Sequence, residues 1–154
     1  MKYENMTKDE LIKQVSELEH KKIVEAKKSE KKLQLLPEVE EAIYNDLIKF
    51  EKNKKYLEKN MGRAKIAVAL HTNQRYAAEI ISHYRGKGTI DYITDLKLDY
   101  IVDRLKNDKK FRKYTNESLA QEAGFGSTQI FAKSFKAKYG MSTLYFISEI
   151  QKES

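Results

Sequence analysis

The sequence contains no cysteine, only one proline and only six glycines in 154 residues. The lack of cysteine excludes disulfides, thiolate metal sites and cysteine nucleophiles. Three histidines, His20, His71 and His83, are too scattered to form a metal cluster, so we predict no metal and no cofactor. No apolar run approaches the roughly 20 residues that span a membrane, and no signal-peptide pattern opens the chain. These absences predict a cytoplasmic protein with no membrane contact from this segment.

The scarcity of helix breakers, together with the near absence of alternating Val and Ile patterns, predicts an all-α protein. Hydrophobic residues make up 40% of the chain, with ten Tyr and six Phe, which is enough to build a core at this length. The sequence shows no paired carboxylates, no Ser/His/Asp arrangement and no phosphate-binding loop. We therefore predict that the protein is not an enzyme.

The charge is spread unevenly along the chain, whose formal net charge is +7. Residues 1–60 hold 14 Lys against 13 acids, a net of +1, so residues 61–154 hold 16 basic against 10 acidic residues, a net of +6. All five arginines lie in this second part. Such asymmetry indicates an anionic partner for the basic part, with nucleic acid and membrane surfaces as the usual candidates.

Residues 1–36 are interpreted as an N-terminal helical connector. Thr7 and Glu10 form a capping box ahead of an apolar stripe, which predicts a helix from about Lys8. The stripe fades after Leu18 into lysine pairs interleaved with acids, so the heptad pattern is too short for a coiled coil. A solvated helix that docks or frays is favoured over a dimerisation zipper.

A second helix is predicted from about Glu38 to Lys52, because Pro37 suits a first helical turn and breaks an interior one. Its predicted buried face consists of four residues at helical spacing: Val39, Ile43, Leu47 and Phe50. We place the domain boundary at Leu36/Pro37, with the main domain over residues 37–152.

The main domain contains an internal repeat. In each copy a short helix with a small apolar residue is followed by a turn and a second, striped helix. The short helices are Ile66–Leu70, with Ala67, and Leu119–Ala123, with Ala120. At a constant offset of 54 the second helices match in four pairs: Asn73 with Ser127, Tyr76 with Ile130, Ala78 with Ala132, and Ile81 with Phe135. Asn73 and Ser127 are predicted N-caps.

Two such copies in register predict two helix-turn-helix units, at about 61–86 and 115–139. Small residues in the short helices permit close helix approach, and Gly124 supplies a residue tolerant of positive φ in the second turn. Between the units, Leu98, Ile101, Val102 and Leu105 recur at helical spacing and predict a linker helix over about 89–106.

These residues resemble the DNA-binding domain of the AraC-type (AraC/XylS) transcriptional regulators, which is two helix-turn-helix units joined by a linker helix. The second unit carries the most specific part: Leu119-Ala120, Gly124-Phe125, Ser127, Phe131, Phe135-Lys136 and Gly140. In the first half the matching residues are Tyr76, Gly88, Asp91-Tyr92-Ile93, Leu96-Lys97-Leu98 and Leu105. Phe50-Glu51 and the Tyr84–Gly88 segment resemble members from Bacteroidetes-type bacteria. The chain departs from the family at Gly62-Arg63, Ser142-Thr143 and Phe146-Ile147.

The resemblance implies that each second helix is a recognition helix that enters a major groove of double-stranded DNA. The apolar side of each recognition helix is expected to turn inward: Tyr76, Ile80 and Ile81 on the first helix, and Ile130, Phe131 and Phe135 on the second. The remaining faces supply the predicted DNA-binding residues. These are Gln74, Arg75, Ala78, Glu79 and Ser82 in the first unit, and Thr128, Gln129, Ala132, Lys133 and Lys136 in the second.

The predicted residues have matching base chemistry. Arg75 suits guanine O6 and N7, Gln74 and Gln129 suit adenine N6 and N7, and an alanine at 78 or 132 suits a thymine methyl. Glu79 is expected near DNA only if it meets a cytosine amino group or a neighbouring arginine. Asn73 and Ser127 are interpreted as caps whose backbone N–H groups face phosphates.

Two alternatives stay open at the level of sequence. The rival function is a helical protein-interaction module whose basic surface meets an acidic partner. The run Lys109, Lys110, Arg112 and Lys113 is either a solvated loop or a phosphate anchor. The resemblance further implies a bacterial transcription factor, with RNA polymerase as a second partner and an upstream sensor region in a longer protein.

Overall fold

The computed structural model of the protein describes residue 33 and residues 35–153. The chain divides into two units, Met1–Leu35 and Leu36–Ser154, and every described helix belongs to the second. The helix predicted from about Lys8 lies outside the described residues, as does the predicted connector apart from residues 33, 35 and 36.

The described part of the chain is all-α, as predicted, with no strand between residues 35 and 153. Single-turn 3-10 segments occur at Lys55–Leu57 and Phe111–Lys113. The seven helices are α1 (Pro37–Lys52), α2 (Arg63–Ala69), α3 (Gln74–Arg85), α4 (Thr89–Asn107), α5 (Asn116–Glu122), α6 (Thr128–Tyr139) and α7 (Thr143–Glu153).

Helix α1 begins at Pro37, and the backbone N–H groups of Val39 and Glu40 donate to the Leu36 carbonyl. Its inward face consists of Ile43, Leu47 and Phe50, all buried. The predicted burial of Val39 is wrong: this residue lies in the first turn and is 37% exposed. The buried stripe therefore begins one turn later than the spacing suggested.

Helices α2 and α3 repeat as α5 and α6. The loops inside the pairs have four residues (70–73) and five residues (123–127) and thus differ by one residue. Both longer helices end in a glycine with left-handed backbone, Gly86 (φ 68°) and Gly140 (φ 73°). The small residues Ala67 and Ala120 are buried where each short helix packs on its partner.

Helix α4 joins the two units and packs against α3 and α6. Its residues Leu98, Ile101 and Leu105 belong to the core of the second unit. The other members of that core come from α5, α6, α7 and the intervening segments: Phe111, Leu119, Ala120, Ala123, Phe125, Phe131, Phe135 and Ile147. The linker helix is thus part of the interior, and two helix-turn-helix units joined by a helix are confirmed.

An ion pair near the first unit ties three helices together. Glu51 of α1 accepts two hydrogen bonds from Arg85 of α3, at 2.8 and 2.9 Å, and one from the hydroxyl of Tyr92 of α4, at 2.5 Å. Burial would raise the pKa of Glu51, but the hydrogen bonds from Arg85 and Tyr92 outweigh it and the pKa falls below 4.5. The fold therefore favours the charged carboxylate.

Replacing Glu51 with glutamine is expected to lower the free energy of unfolding by about 2 kcal/mol at pH 7, the usual scale for hydrogen bonds to a charged group. Because the pKa of Glu51 is depressed in the fold, its stabilisation is present above pH 4.5 and is lost as pH falls through the folded-state value. Urea unfolding of both proteins at pH 7 and pH 3 measures this, and the difference between them should shrink at pH 3. An equal difference at both values would contradict the role of the charge.

Candidate nucleic-acid interface

The predicted DNA-binding residues of the first unit lie together on the outer face of α3. Gln74, Arg75, Ala78 and Ser82 are exposed, and Glu79 is half-buried. The opposite face holds Ala77, Ile80 and Ile81, which are buried, and Tyr76, which is half-buried. The helix thus presents a polar surface whose direction is fixed by its packing.

Arg75 and Glu79 form an ion pair along this face. The Arg75 Nε donates to Glu79 Oε1 at 3.3 Å, with the arginine side chain 75% exposed. Among the described residues no hydrogen bond is formed by the two terminal nitrogens, which are available as a donor pair. A guanidinium presented in this way has the two donors that match guanine O6 and N7.

In the second unit the predicted residues also share one face. Gln129, Lys133 and Lys136 of α6 are exposed, whereas Thr128 and Ala132 are half-buried. Within the described residues, neither Lys133 nor Lys136 makes an ion pair, so both ammonium groups are available to an external anion. The structure therefore brings the five residues together.

Ile130 corrects the orientation inferred from the sequence. The apolar pattern predicts that it turns inward with Phe131 and Phe135, but its side chain is 55% exposed while both phenylalanines are completely buried. In the first unit, Tyr76 occupies the matching position and is half-buried. The outer face of α6 consequently carries a large apolar side chain among its polar residues.

Both predicted N-caps are confirmed. The Asn73 side chain accepts from the Tyr76 backbone N–H at 2.8 Å, and the Ser127 hydroxyl accepts from the Ile130 backbone N–H at 3.1 Å. Each cap satisfies one of the backbone N–H groups that a helix start leaves without a partner. The phosphate contact predicted for these two residues stays a prediction.

Not every basic residue of the second half is available to a partner. Lys138 of α6 bonds Asp99 at 2.7 Å and lies 3.6 Å from Asp95, so it is neutralised against α4. In the basic loop, Arg112 donates to the carbonyls of Leu105 and Lys106 at 2.7 and 3.1 Å, which closes the end of α4. The other members of that loop, Lys109, Lys110 and Lys113, are exposed.

Sequence reasoning missed Lys97, which is buried in the middle of α4. In the sequence this residue stands out only as part of a run shared with the AraC-type family. A signal was present, because Ile93, Lys97 and Ile101 recur at intervals of four and the two isoleucines are buried. A charged residue in register with an apolar stripe indicates an internal bonding role.

The arrangement defines a class of fold: two helix-turn-helix units, joined by a buried linker helix, with the second helix of each unit exposing polar residues. This is the fold of an AraC-type DNA-binding domain. The DNA-binding domain of AdpA, a global transcriptional factor solved in complex with a target DNA, superposes with a TM-score of 0.61 at 12% identity, covering 73% of this chain and 95% of that one. The C-terminal domain of AraT, a response regulator from Geobacillus stearothermophilus, gives a TM-score of 0.53 at 16% identity, covering 79% and 88%.

No protein-family model and no curated protein sequence matches the chain. Among the helices described, none has the length and apolar content needed to cross a membrane. Residues 35–153 bring together no group of three His, Asp or Glu side chains suited to a metal ion.

Proposed function

We propose that this protein binds double-stranded DNA sequence-specifically and regulates transcription, as a member of the AraC-type regulators. The observation that carries the proposal is the duplication itself: two capped second helices expose Gln, Arg and Lys side chains on faces set by their own cores. The fold that it shares with the DNA-bound domain of AdpA supports the same function.

In the proposed mechanism, α3 and α6 enter successive major grooves on one side of the duplex, roughly 34 Å apart. Arg75 reads guanine, Gln74 and Gln129 read adenine, and the exposed apolar side chain of Ile130 meets a thymine methyl. Lys133 and Lys136 neutralise phosphates, and the helix starts at Asn73 and Ser127 direct backbone N–H groups to the backbone of the DNA.

The test of this function is an electrophoretic mobility shift on duplex DNA at two salt concentrations. Each phosphate contact should contribute about 0.9 to the slope of log affinity against log salt, so a protein with several contacts loses affinity steeply between about 50 and 200 mM. Polyglutamate of matched charge serves as the competitor. Equal competition by polyglutamate would favour the rival function, a helical interaction module for an acidic protein.

The role of Ile130 is tested by removing a single methyl group from the DNA. Replacing the contacted thymine with deoxyuridine should weaken binding by the wild-type chain about fourfold, because burial of one methyl group contributes about 0.8 kcal/mol. Ile130→Ala should bind both duplexes with the same affinity, as fluorescence anisotropy would measure.

The matched control is Leu144→Ala, since Leu144 is also a large apolar residue, 74% exposed, but belongs to α7 and not to either recognition helix. This variant should keep the wild-type preference for thymine. An Ile130→Ala protein that still discriminates the methyl group would show that another residue contacts it.

We assign the protein to the cytoplasm of a bacterium, without enzymatic activity, with RNA polymerase as a second partner and a sensor region upstream in a longer protein. The absence of paired carboxylates or a phosphate-binding loop in the sequence supports the non-enzymatic role. A pull-down of RNA polymerase by the chain bound to its own DNA site tests the partner.

A further inference from the structure

Lys97 is a charged side chain in the interior of the linker helix. Only 5% of the residue is exposed, and it lies on the buried stripe of α4 between Ile93 and Ile101. An ammonium group removed from water is strongly unfavourable unless hydrogen-bond acceptors surround it. Burial also lowers the pKa of Lys97 to about 8. The buried ammonium group of Lys97 therefore needs hydrogen-bond acceptors around it.

Three backbone carbonyls supply those acceptors. The Lys97 Nζ donates to the carbonyls of Ala123 at 2.9 Å, Gly124 at 3.0 Å and Glu58 at 3.2 Å. Three acceptors match the three N–H donors of a lysine. Ala123 and Gly124 open the turn of the second helix-turn-helix unit, whereas Glu58 lies just before the first unit, so one ammonium group bonds that turn to the segment that leads into the first unit.

A second contact at the same point is independent of the lysine side chain. A Cβ atom placed on Gly124, whose φ is +74°, would lie 2.0 Å from the carbonyl oxygen of Leu57. The turn of the second unit thus rests directly on the backbone that precedes the first. We call these five residues the Lys97 junction: Leu57, Glu58, Lys97, Ala123 and Gly124.

The junction lies immediately beside the elements that orient the recognition helices. Helix α6 begins at Thr128, four residues after Gly124, and α2 begins at Arg63, five residues after Glu58. Displacement of the second unit's turn against the segment that leads into the first unit would strain or break the bonds of the Lys97 ammonium group. The hydrogen bonds therefore resist both separation and rotation of the two units.

We propose that Lys97 is a positioning residue that fixes the separation of the two recognition helices, and thereby the base-pair spacing between the two halves of the DNA site. This inference rests on the proposed function. Two linked binding elements strengthen each other only when their geometry lets both bind without strain. A rigid junction therefore gives a sharp preference for one spacing, and a loosened junction gives a broad one.

The absence of cysteine from the chain allows a direct test of the geometry without DNA. Spin labels are attached at Val68→Cys on α2 and Ala137→Cys on α6, both exposed positions, and their separation is measured by pulsed electron paramagnetic resonance. The labelled chain with Lys97 should give one narrow distance distribution. Adding Lys97→Met, which keeps the aliphatic stem and removes all three donors, should make that distribution at least twofold broader.

Should Lys97→Met unfold the chain, as circular dichroism would show, the same measurement is made on Lys97→Gln, which keeps two N–H donors at shorter reach. A distribution as narrow as the parent's in either folded variant overturns the proposal. Loss of the fold in both variants also overturns it, in favour of a role in stability alone.

The DNA test varies the spacing of a selected two-part site by −1, +1 and +2 base pairs. The wild-type chain should lose at least tenfold in affinity for a change of one base pair, and Lys97→Met less than threefold. Lys97→Arg, which keeps the charge and several donors, should restore the sharp profile. A uniform loss of affinity at every spacing in Lys97→Met would overturn the proposal in favour of a structural role.

Failure of the wild-type chain to bind any duplex would contradict the proposed function. The distance measurement without DNA would still test the Lys97 junction.

Discussion

Replacing Gly124 with alanine is expected to lower the free energy of unfolding by about 3 kcal/mol, because two penalties coincide at this position. The backbone has φ +74°, a region that residues with a Cβ atom rarely adopt. The new methyl group would also lie 2.0 Å from the Leu57 carbonyl oxygen, which belongs to the backbone and cannot move aside alone. Chemical denaturation followed by circular dichroism measures the change.

Two other glycines allow the backbone penalty and the steric penalty to be measured separately. Gly140 has φ +73° but open space where an alanine methyl group would lie, so Gly140→Ala should cost about 1 kcal/mol through backbone conformation alone. Gly126 has neither a positive φ nor a neighbour within 4 Å, and Gly126→Ala should leave stability within about 0.5 kcal/mol of the wild type. If Gly124→Ala costs no more than Gly140→Ala, the close approach to Leu57 does not constrain the fold.

Replacing Arg75 with alanine is expected to weaken binding to the preferred DNA site by about 10- to 100-fold, since a bidentate arginine–guanine pair contributes about 1–3 kcal/mol of discrimination. Binding to random duplex should fall much less, and the preference at one base position should disappear. Anisotropy titrations on the preferred site, on the site with that guanine replaced, and on random duplex measure the three affinities.

Lys133→Ala is the matched comparison, because Lys133 is exposed on the other recognition helix and is proposed to bind phosphate. It should weaken specific and random binding equally and reduce the salt slope by about one. Equal losses on both duplexes for Arg75→Ala would remove its assignment as a base-reading residue.

Glu79→Gln examines how Arg75 is held. The variant removes the charge that pairs with the Arg75 Nε and should lower the preference for guanine about twofold, the scale of an exposed i,i+4 ion pair. In an Arg75→Ala background the same change should have no effect on that preference. An effect that persists there would favour the contact with a cytosine amino group.

The features that sequence predicts well here are those set by local chemistry. Asn73 and Ser127 are short acceptors placed before apolar-striped segments, so their cap bonds follow from residue type and spacing. Gly124 stands after an apolar short helix, at the point where the chain must reverse. Its positive φ is therefore also predictable from residue type and position. Because the unit occurs twice, each copy supports the interpretation of the other.

The errors come from residues whose surroundings are set by other helices. Ile130 adjoins Phe131 and Phe135 in sequence, and periodicity alone does not determine which member of an apolar group lies at the edge of the buried face. Lys97 has the composition of a surface residue, and its three acceptors come from segments at least 26 residues away. Val39 is exposed because the first turn of α1 lies outside its buried stripe.

In the proposed mechanism, one chain reads two successive major grooves of a duplex. Selection of binding sites from a random double-stranded pool, followed by measurement of the stoichiometry on the selected site, tests it most directly. We expect an asymmetric site with two preferred blocks whose centres lie about 10 base pairs apart, bound by a single chain. A palindromic site that requires two chains, or a pool from which no sequence is enriched, would contradict it.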